Sequence, residues 1–473
     1  MATKNILPPI SLAERKDYTS RIFAWNEAYT HERGKHRGCF VLTFGCQQNE
    51  ADSEKILGMA EAMGYESTET PDNADLIILN TCAIRQHAEE KALSMLGRFK
   101  ALKRKNNDLI IGVCGCMAAE AHVKELLKND FHYVTFTLEP NMLHEIPKLI
   151  HRFLTDGKRS FVIGEDKGDI REGMPITRRF GHKAWVSIMY GCNNFCSYCI
   201  VPYVRGRERS RCTEEILTEC RSLVADGVKE ITLLGQNVNS YKGECDFAGL
   251  LERIAEIDGE FIIRFMTSHP KDASEALIEV MSKYSPKIAP YFHLPLQSGS
   301  DRILKLMNRT YNRERFLSIV DKLRSKIPGI CLSTDVIVGF PSETEDDFLD
   351  TLDILEKARF DMVYAFKYSP REGTPAAKME DKIDISVKEE RIDRLLKLQD
   401  SISFENNEKY VDSTVTVLVD SLSKRKNMNT VNARTFSNKL VHFEGDESMI
   451  GKYISVKIDR AGVYELYATQ IDK

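Results

Sequence analysis

The chain has 473 residues and a formal net charge of −4, with 42% hydrophobic and 29% charged side chains. This length allows about two to four domains, and the near-neutral balance leaves any nucleic-acid contact to local basic patches. No apolar run is long enough for a membrane span, and twelve cysteines point to metal or redox chemistry in a reducing cytoplasm.

Residues 1–36 read as an N-terminal extension whose Glu14, Asp17 and Glu27 argue against an organelle transit peptide. From 37 to 160 one unit repeats: apolar strand, short loop, amphipathic helix. Strands are expected at 39–44, 76–79 and 109–113, and such alternation gives a parallel α/β sheet with right-handed crossovers. Just past the strands stand Cys46, Cys82 and Cys116, separated by 36 and 34 residues. In an open parallel sheet the carboxyl ends of strands lie side by side and line the ligand crevice. Each thiol alone reads as a buried apolar group. As three equivalent positions they read as ligands of a 4Fe–4S cluster with one open iron. Strand alternation leaves Cys114 as an alternative to Cys116, although only Cys116 follows a loop glycine as Cys46 does. Cys39, at the start of its strand, reads as core.

Residues 178–408 carry six further apolar strands, expected at 184–190, 230–234, 261–266, 290–294, 333–338 and 362–367, with helices between them. One helix is expected at 344–357, opened by a capping box at Ser342 and Glu345. Six βα repeats imply a partial (β/α)6 barrel related to the TIM fold, with its chemistry at the strand carboxyl ends. After the first strand comes Gly191-Cys192-Asn193-Asn194-Phe195-Cys196-Ser197-Tyr198-Cys199. Three thiols in so short a loop are hard to ascribe to packing. A closed zinc site wants a fourth ligand, and no histidine follows until His269. A cubane held by Cys192, Cys196 and Cys199 keeps one iron open.

Other barrel strands end in Gly235-Gln236-Asn237, Ser268-His269-Pro270, Gln297-Ser298-Gly299 and Gly339-Phe340-Pro341. Gly235 and Gly339 let backbone approach a ligand, while Gln236, Asn237 and Ser268 can bond a ribose or carboxylate. A plain turn accounts for any one of these motifs, and His293 fits a core as well as a site. Past the cysteine loop, an extended 201–211 would put Arg205, Arg207, Arg209 and Arg211 on one face, a row able to grip RNA phosphates. The bland reading is a charged strand edge.

The last module, 409–473, alternates in five short strands, expected at 413–420, 432–436, 439–443, 453–460 and 466–471. Five strands in this length suggest a small OB-like barrel, a fold that binds nucleic acid. Lys424, Arg425 and Lys426 in its first turn are candidate RNA contacts. Residues 410–473 hold nine basic and eight acidic side chains, so the module is not strongly basic.

The cysteine loop, with Tyr198 inside it, resembles the radical S-adenosylmethionine (SAM) enzymes, in which the open iron chelates SAM. The assembled parts resemble the radical SAM methylthiotransferases over residues 38–473: an N-terminal three-cysteine domain, a radical SAM barrel and a C-terminal TRAM domain. Thr43-Phe-Gly-Cys-Gln-Gln-Asn-Glu-Ala-Asp-Ser-Glu54, Asn80-Thr-Cys-Ala-Ile-Arg85 and the run from Tyr190 to Arg211 look most like the MiaB branch of that family. The resemblance implies Cys46, Cys82 and Cys116 as auxiliary-cluster ligands, choosing Cys116 over Cys114 through the pattern Gly-Cys-Met-Ala. It implies Cys192, Cys196 and Cys199 as ligands of the SAM cluster, and Tyr198 near the cofactor. Gln48 stands where that branch usually has Met, and Ala83-Ile84 where it has Ser-Val.

The implied activity is methylthiolation of C2 of N6-dimethylallyladenosine beside the tRNA anticodon. One SAM methylates a sulfur on the auxiliary cluster, another yields a 5′-deoxyadenosyl radical, and the two clusters face one cavity. The expected partners are tRNA, a reductant protein and a sulfur donor, with no membrane, for a monomer in the cytoplasm. The rival substrates are threonylcarbamoyl-adenosine in tRNA and a ribosomal-protein aspartate. A rival of another class is an iron–sulfur RNA-binding or electron-transfer protein without turnover.

Overall fold

The computed structural model describes residues 10–83, 86–161, 170–380, 383–423 and 429–471. The chain forms two compact units. The first comprises Met1–Arg179, Tyr190–Asn193 and Ile200–Arg209, and the second Phe180–Met189, Asn194–Cys199 and Ser210–Lys473.

The first unit opens with α1 (Leu12–Arg33), where the sequence reading assigned no element. Ser11 Oγ accepts the Glu14 N–H while the Glu14 carboxylate accepts from Ser11, and Gly34 ends the helix at φ +68°. The sheet strands are β1 (Arg37–Phe44), β2 (Tyr65–Ser67), β3 (Leu76–Thr81), β4 (Ile110–Gly115), β5 (Phe136–Leu138) and β6 (Ser160–Phe161). They pair in parallel in the order β2-β1-β3-β4-β5-β6. Strands β1, β3 and β4 stand where the sequence predicts them. The other three have two or three residues, too few to show a period.

Between the strands run α2 (Gln47–Ala62), α3 (Gln86–Lys105), α4 (Ala121–Asn129) and α5 (Ile146–Asp156). Both faces are apolar, as a helix-covered parallel sheet requires. Ile77, Leu79, Ile111 and Val113 pack against Ala92, Leu96 and Phe99 of α3. Leu76, Ile78, Ile110 and Cys114 pack on the opposite face with Ile56 and Met59 of α2 and Ile22 of α1.

The second unit begins with β7 (Lys183–Ser187). The chain passes between units at the two-residue strands β8 (Met189–Tyr190) and β9 (Arg209–Ser210), and α6 (Val201–Arg205) belongs to the first. The expected barrel strands follow as β10 (Glu230–Leu234), β11 (Ile262–Phe265), β12 (Tyr291–His293), β13 (Cys331–Val338) and β14 (Met362–Lys367). They form two parallel three-stranded sheets, β11-β10-β7 and β12-β13-β14, with one parallel bridge from Ile263 to Ile288. Helices α7 (Thr213–Ala225), α8 (Phe247–Ala255), α9 (Glu275–Lys283), α10 (Asp301–Leu306), α11 (Arg313–Lys326) and α12 (Glu345–Ala358) alternate with them, as a partial βα barrel demands. The cap of α12 differs from expectation. Ser342 lies at φ +70°, outside the extended region an N-cap needs, and Thr344 with Asp347 forms the box instead.

Helix α13 (Ile385–Glu408) leads into β15 (Thr414–Leu422), β16 (Thr430–Thr435), β17 (Leu440–Glu444), β18 (Tyr453–Ala461) and β19 (Glu465–Gln470). These close a five-stranded barrel in the order β15-β16-β17-β19-β18, filled by Val417, Val419, Val431, Val441, Phe443, Ile458 and Leu466. Arg264 on β11 anchors it. The guanidinium donates to the Thr435 and Phe436 carbonyls at 3.0 and 2.9 Å and to Glu230 at 2.6 Å. Breaking a buried pair strands its partner charge, so Arg264→Ala is expected to cost about 3 kcal/mol, read as a lower urea midpoint. Among the described residues no helix is long and apolar enough to cross a membrane.

Candidate functional site

The first constellation lies on three adjacent strands. Phe44 of β1 is in register with Thr81 of β3, and Thr81 with Gly115 of β4. Cys82 and Cys116 directly follow β3 and β4, and Cys46 follows β1 by two residues. Cys46 caps α2 and is exposed, whereas Cys82 and Cys116 are each 2% exposed. An amide network ties the Cys46 and Cys82 ends together. Asn49 Oδ1 accepts from the Cys46 N–H and thiol, both at 3.3 Å. Its Nδ2 donates to Asn80 Oδ1 at 3.1 Å, and Asn80 Nδ2 returns a bond to the Asn49 carbonyl at 2.8 Å. The Cys82 N–H donates to the Phe44 carbonyl at 2.8 Å.

A hydrogen bond with Cys82 pulls the Cys46 thiol down to about 6, partly offset by desolvation. The Arg205 charge and the N–H groups of Asn49 and Gln48 at the α2 N-terminus add to the pull. Burial pushes the Cys116 thiol up, opposed chiefly by Arg205. Cys114 sits inside the sheet core, its thiol held well above the ordinary range by burial, and burial takes Cys39 to about 12.

The cysteine loop is held within each unit separately. In the first, the Cys192 N–H donates to the Gly206 carbonyl at 3.1 Å and the Asn193 N–H to Glu208 at 3.1 Å. Gly191 must be glycine: its φ is +78°, and a Cβ there would lie 2.0 Å from the Arg207 carbonyl oxygen. In the second, Asn308 Nδ2 donates to the carbonyls of Phe195 and Asn194 at 2.9 and 3.3 Å. Cys196 and Cys199 share one turn, joined by a 3.0 Å backbone bond. Arg309 donates to Cys196 Sγ at 3.2 Å and to the Pro295 carbonyl at 3.1 Å. Tyr198 packs against the cluster of Ile303, Met307, Phe340 and Tyr368.

Among the described residues no three His, Cys, Asp or Glu side chains converge on a single metal ion. A cubane asks for something else, since each thiolate binds a different iron and the sulfurs stand further apart than around one zinc. Soft thiolate donors suit iron–sulfur chemistry.

The barrel strand ends hold unpartnered polar atoms among the described residues. Asn237 Oδ1, Ser268 Oγ and both amide atoms of Asn239 are buried without a hydrogen-bond partner, while Asn237 Nδ2 donates to Asp272 at 2.7 Å. Gln236 is half-buried beside them. A Cβ on Gly235 would meet Met189 at 2.5 Å. Gly339, at φ +72°, donates its N–H to Glu343 at 2.8 Å.

His269 is 4% exposed, and its Nδ1 accepts the Lys271 N–H at 3.2 Å, leaving the ring proton on Nε2. Burial first, then Arg309 and Lys271, takes it down to about 2. The folded ring therefore stays neutral at pH values where the unfolded one gains a proton below about 6.5. Stability is lost as pH falls below that value, by about 2 kcal/mol at pH 5. A urea midpoint that drops between pH 7 and pH 5, and drops less in His269→Gln, is the expected result.

The arginine row is not formed as expected. Residues 201–205 are helical because Pro202 starts α6. Arg205 is 3% exposed and Arg211 8% exposed, the latter paired with Glu219 at 2.8 Å. Arg209 donates to the Arg205 carbonyl at 3.2 Å, and Arg207 is exposed. Lys424, Arg425 and Lys426 lie outside the described residues. Sequence reasoning missed Asn49, Asp52, Asn80, Asn308 and Arg309. The helical spacing of Asn49 and Asp52 after Cys46 was the available signal for two of them; nothing local marks the others.

Residues 186–355 match the radical SAM superfamily, 38–137 the uncharacterized protein family UPF0004 and 408–469 the TRAM domain. The chain is 48% identical to the tRNA-2-methylthio-N(6)-dimethylallyladenosine synthase of Alkaliphilus oremlandii, covering 98% of both chains. It is 46% identical to the synthase of the same name from Clostridioides difficile, again over 98% of both. Among solved structures it resembles the radical SAM methyltransferase TsrM of Kitasatospora setae, with a TM-score of 0.54 at 13% identity, over 72% of this chain and 74% of that one. That likeness concerns the fold alone. Membership of the radical SAM superfamily implies a 4Fe–4S cluster and SAM. With matches of this extent, the chain belongs to the family of radical SAM enzymes named tRNA-2-methylthio-N(6)-dimethylallyladenosine synthases.

Proposed function

We propose that this protein transfers a methylthio group to C2 of N6-dimethylallyladenosine beside the anticodon of tRNA, in the cytoplasm, using two 4Fe–4S clusters and SAM. The observation that carries this reading is the convergence of Cys46, Cys82 and Cys116 at three aligned strand ends, in a chain that also holds the C-x3-C-x2-C loop. Three thiolates at each site leave an open iron at each. When bound, the clusters and SAM supply a hydrogen-abstracting radical and a methylthio donor, as an unactivated aromatic C–H requires.

The chain's own residues position these groups. Cys46, Cys82 and Cys116 hold the auxiliary cluster, and Cys192, Cys196 and Cys199 the SAM-binding one. The buried polar atoms of Asn237 and Ser268, with Gln236 and the backbone at Gly235 and Gly339, bind SAM beside Tyr198. Residues 37–160 serve as the auxiliary domain, 178–408 as the radical SAM barrel, and 409–473 as a tRNA-binding module. A reductant protein and a sulfur donor complete the system, and the enzyme acts as a monomer.

The test is anaerobic incubation of reconstituted protein with SAM, reductant, sulfide and dimethylallyl-bearing tRNA, followed by mass spectrometry of the nucleosides. A methylthio adduct on dimethylallyladenosine is expected. SAM cleavage without that adduct would move the substrate to threonylcarbamoyl-adenosine or a protein aspartate. Neither product from a protein holding both clusters would overturn the enzymatic reading.

A further inference from the structure

Arg205 is a buried guanidinium bonded to two different elements of the first unit. Its Nε lies 3.1 Å from Cys116 Sγ, and its Nη2 lies 3.1 Å from Asp52 Oδ2. The Arg205 and Asp52 side chains are 4% and 5% exposed. Asp52 belongs to α2, the helix that Cys46 caps, and Cys116 follows β4. One side chain therefore bridges the helix of the first thiol and the strand end of the third.

The backbone beneath it is fixed as well. Ile200 and Val204 pack on Ala83 and on Cys116 itself, and the Arg205 carbonyl accepts from Asn141 Nδ2 at 3.3 Å and Arg209 at 3.2 Å. Aiming a donor at a thiol that ligates iron has a chemical consequence. A hydrogen bond to a ligand sulfur withdraws electron density from the iron–sulfur bond and raises the reduction potential, and outer-shell partners also fix ligand orientation.

We infer that Arg205 is a positioning residue for the auxiliary cluster, spacing Cys116 against the Cys46 helix and setting the cluster's potential, with Asp52 as its counterweight. This rests on the two-cluster reading above. Removing the guanidinium charge lowers the potential, and removing the Asp52 charge raises it, so the two changes have opposite signs.

The test uses the full-length chain carrying Cys192→Ala, Cys196→Ala and Cys199→Ala, in which all cluster iron belongs to the auxiliary site. It is reconstituted and titrated potentiometrically under electron paramagnetic resonance. Arg205→Gln is expected to shift the midpoint downward and Asp52→Asn upward, at unchanged iron per chain. If Arg205→Gln instead loses iron, restoration by Arg205→Lys supports positioning, and loss in both overturns it. Unchanged midpoints at full iron content overturn the inference alone. Absence of iron from the unsubstituted background overturns the two-cluster reading and this inference with it.

Discussion

Alanine in place of Cys46, Cys82 or Cys116 is expected to yield a protein that still cleaves SAM but no longer forms the methylthio product. On the proposed two-cluster reading three thiolates are the whole protein ligand set of the auxiliary cubane, so losing one leaves two irons without a protein ligand. Iron falls from about eight to about four atoms per chain. Product yield drops by more than the roughly 100-fold that loss of an outer-shell partner costs. The fold survives: the exposed Cys46 leaves no void, and Cys82 and Cys116, though buried, each lose a single sulfur, worth about 1 kcal/mol. Iron analysis, 5′-deoxyadenosine measurement and nucleoside mass spectrometry read the three quantities separately. Wild-type yield of product from any of the three variants would sink the auxiliary-site assignment.

Gly115→Ala is expected to damage the same site through the backbone. Gly115 ends β4 at φ +94°, and an added Cβ would lie 2.3 Å from the Thr81 carbonyl oxygen and 2.7 Å from its nitrogen. Those atoms belong to β3, in register with Gly115, and cannot retreat without opening the β3–β4 ladder. Left-handed strain and overlap with backbone together cost about 3 kcal/mol or more. Cys116 and Cys82 flank the disturbance, so the auxiliary iron is lost with the stability. Gly157→Ala is the control: Gly157 has φ +64° but nothing within 4 Å of the new Cβ, so only about 1 kcal/mol is lost. Equal urea midpoints for the two variants would refute the steric argument.

The sheet and both barrels were legible in the sequence because their main strands are long enough to carry a period. Thr414–Val417 alternates between exposed threonines and more buried valines, and Leu76–Leu79 is an apolar, fully buried run. Strands such as Ser160–Phe161 exist only because neighbouring backbone is there to pair with. The arginine row was misread for a related reason. A charged run looks solvated in one dimension, yet Pro202 turns the backbone into α6 and drives Arg205 inward against Asp52 and Cys116.

By itself the sequence determined the candidate thiols, their spacing along the chain and the succession of strand–helix units, because side-chain chemistry and hydrophobic periodicity are properties of residues in order. Tertiary structure alone decided which groups stand behind those thiols. It brought Asn49 to Asn80, Arg205 to Cys116 and Arg309 to Cys196, pairs separated by 31, 89 and 113 positions. No local pattern encodes a contact at such range. It arises when parallel strands are aligned by burying both faces of a sheet, and the electrostatics of the site follow from that alignment.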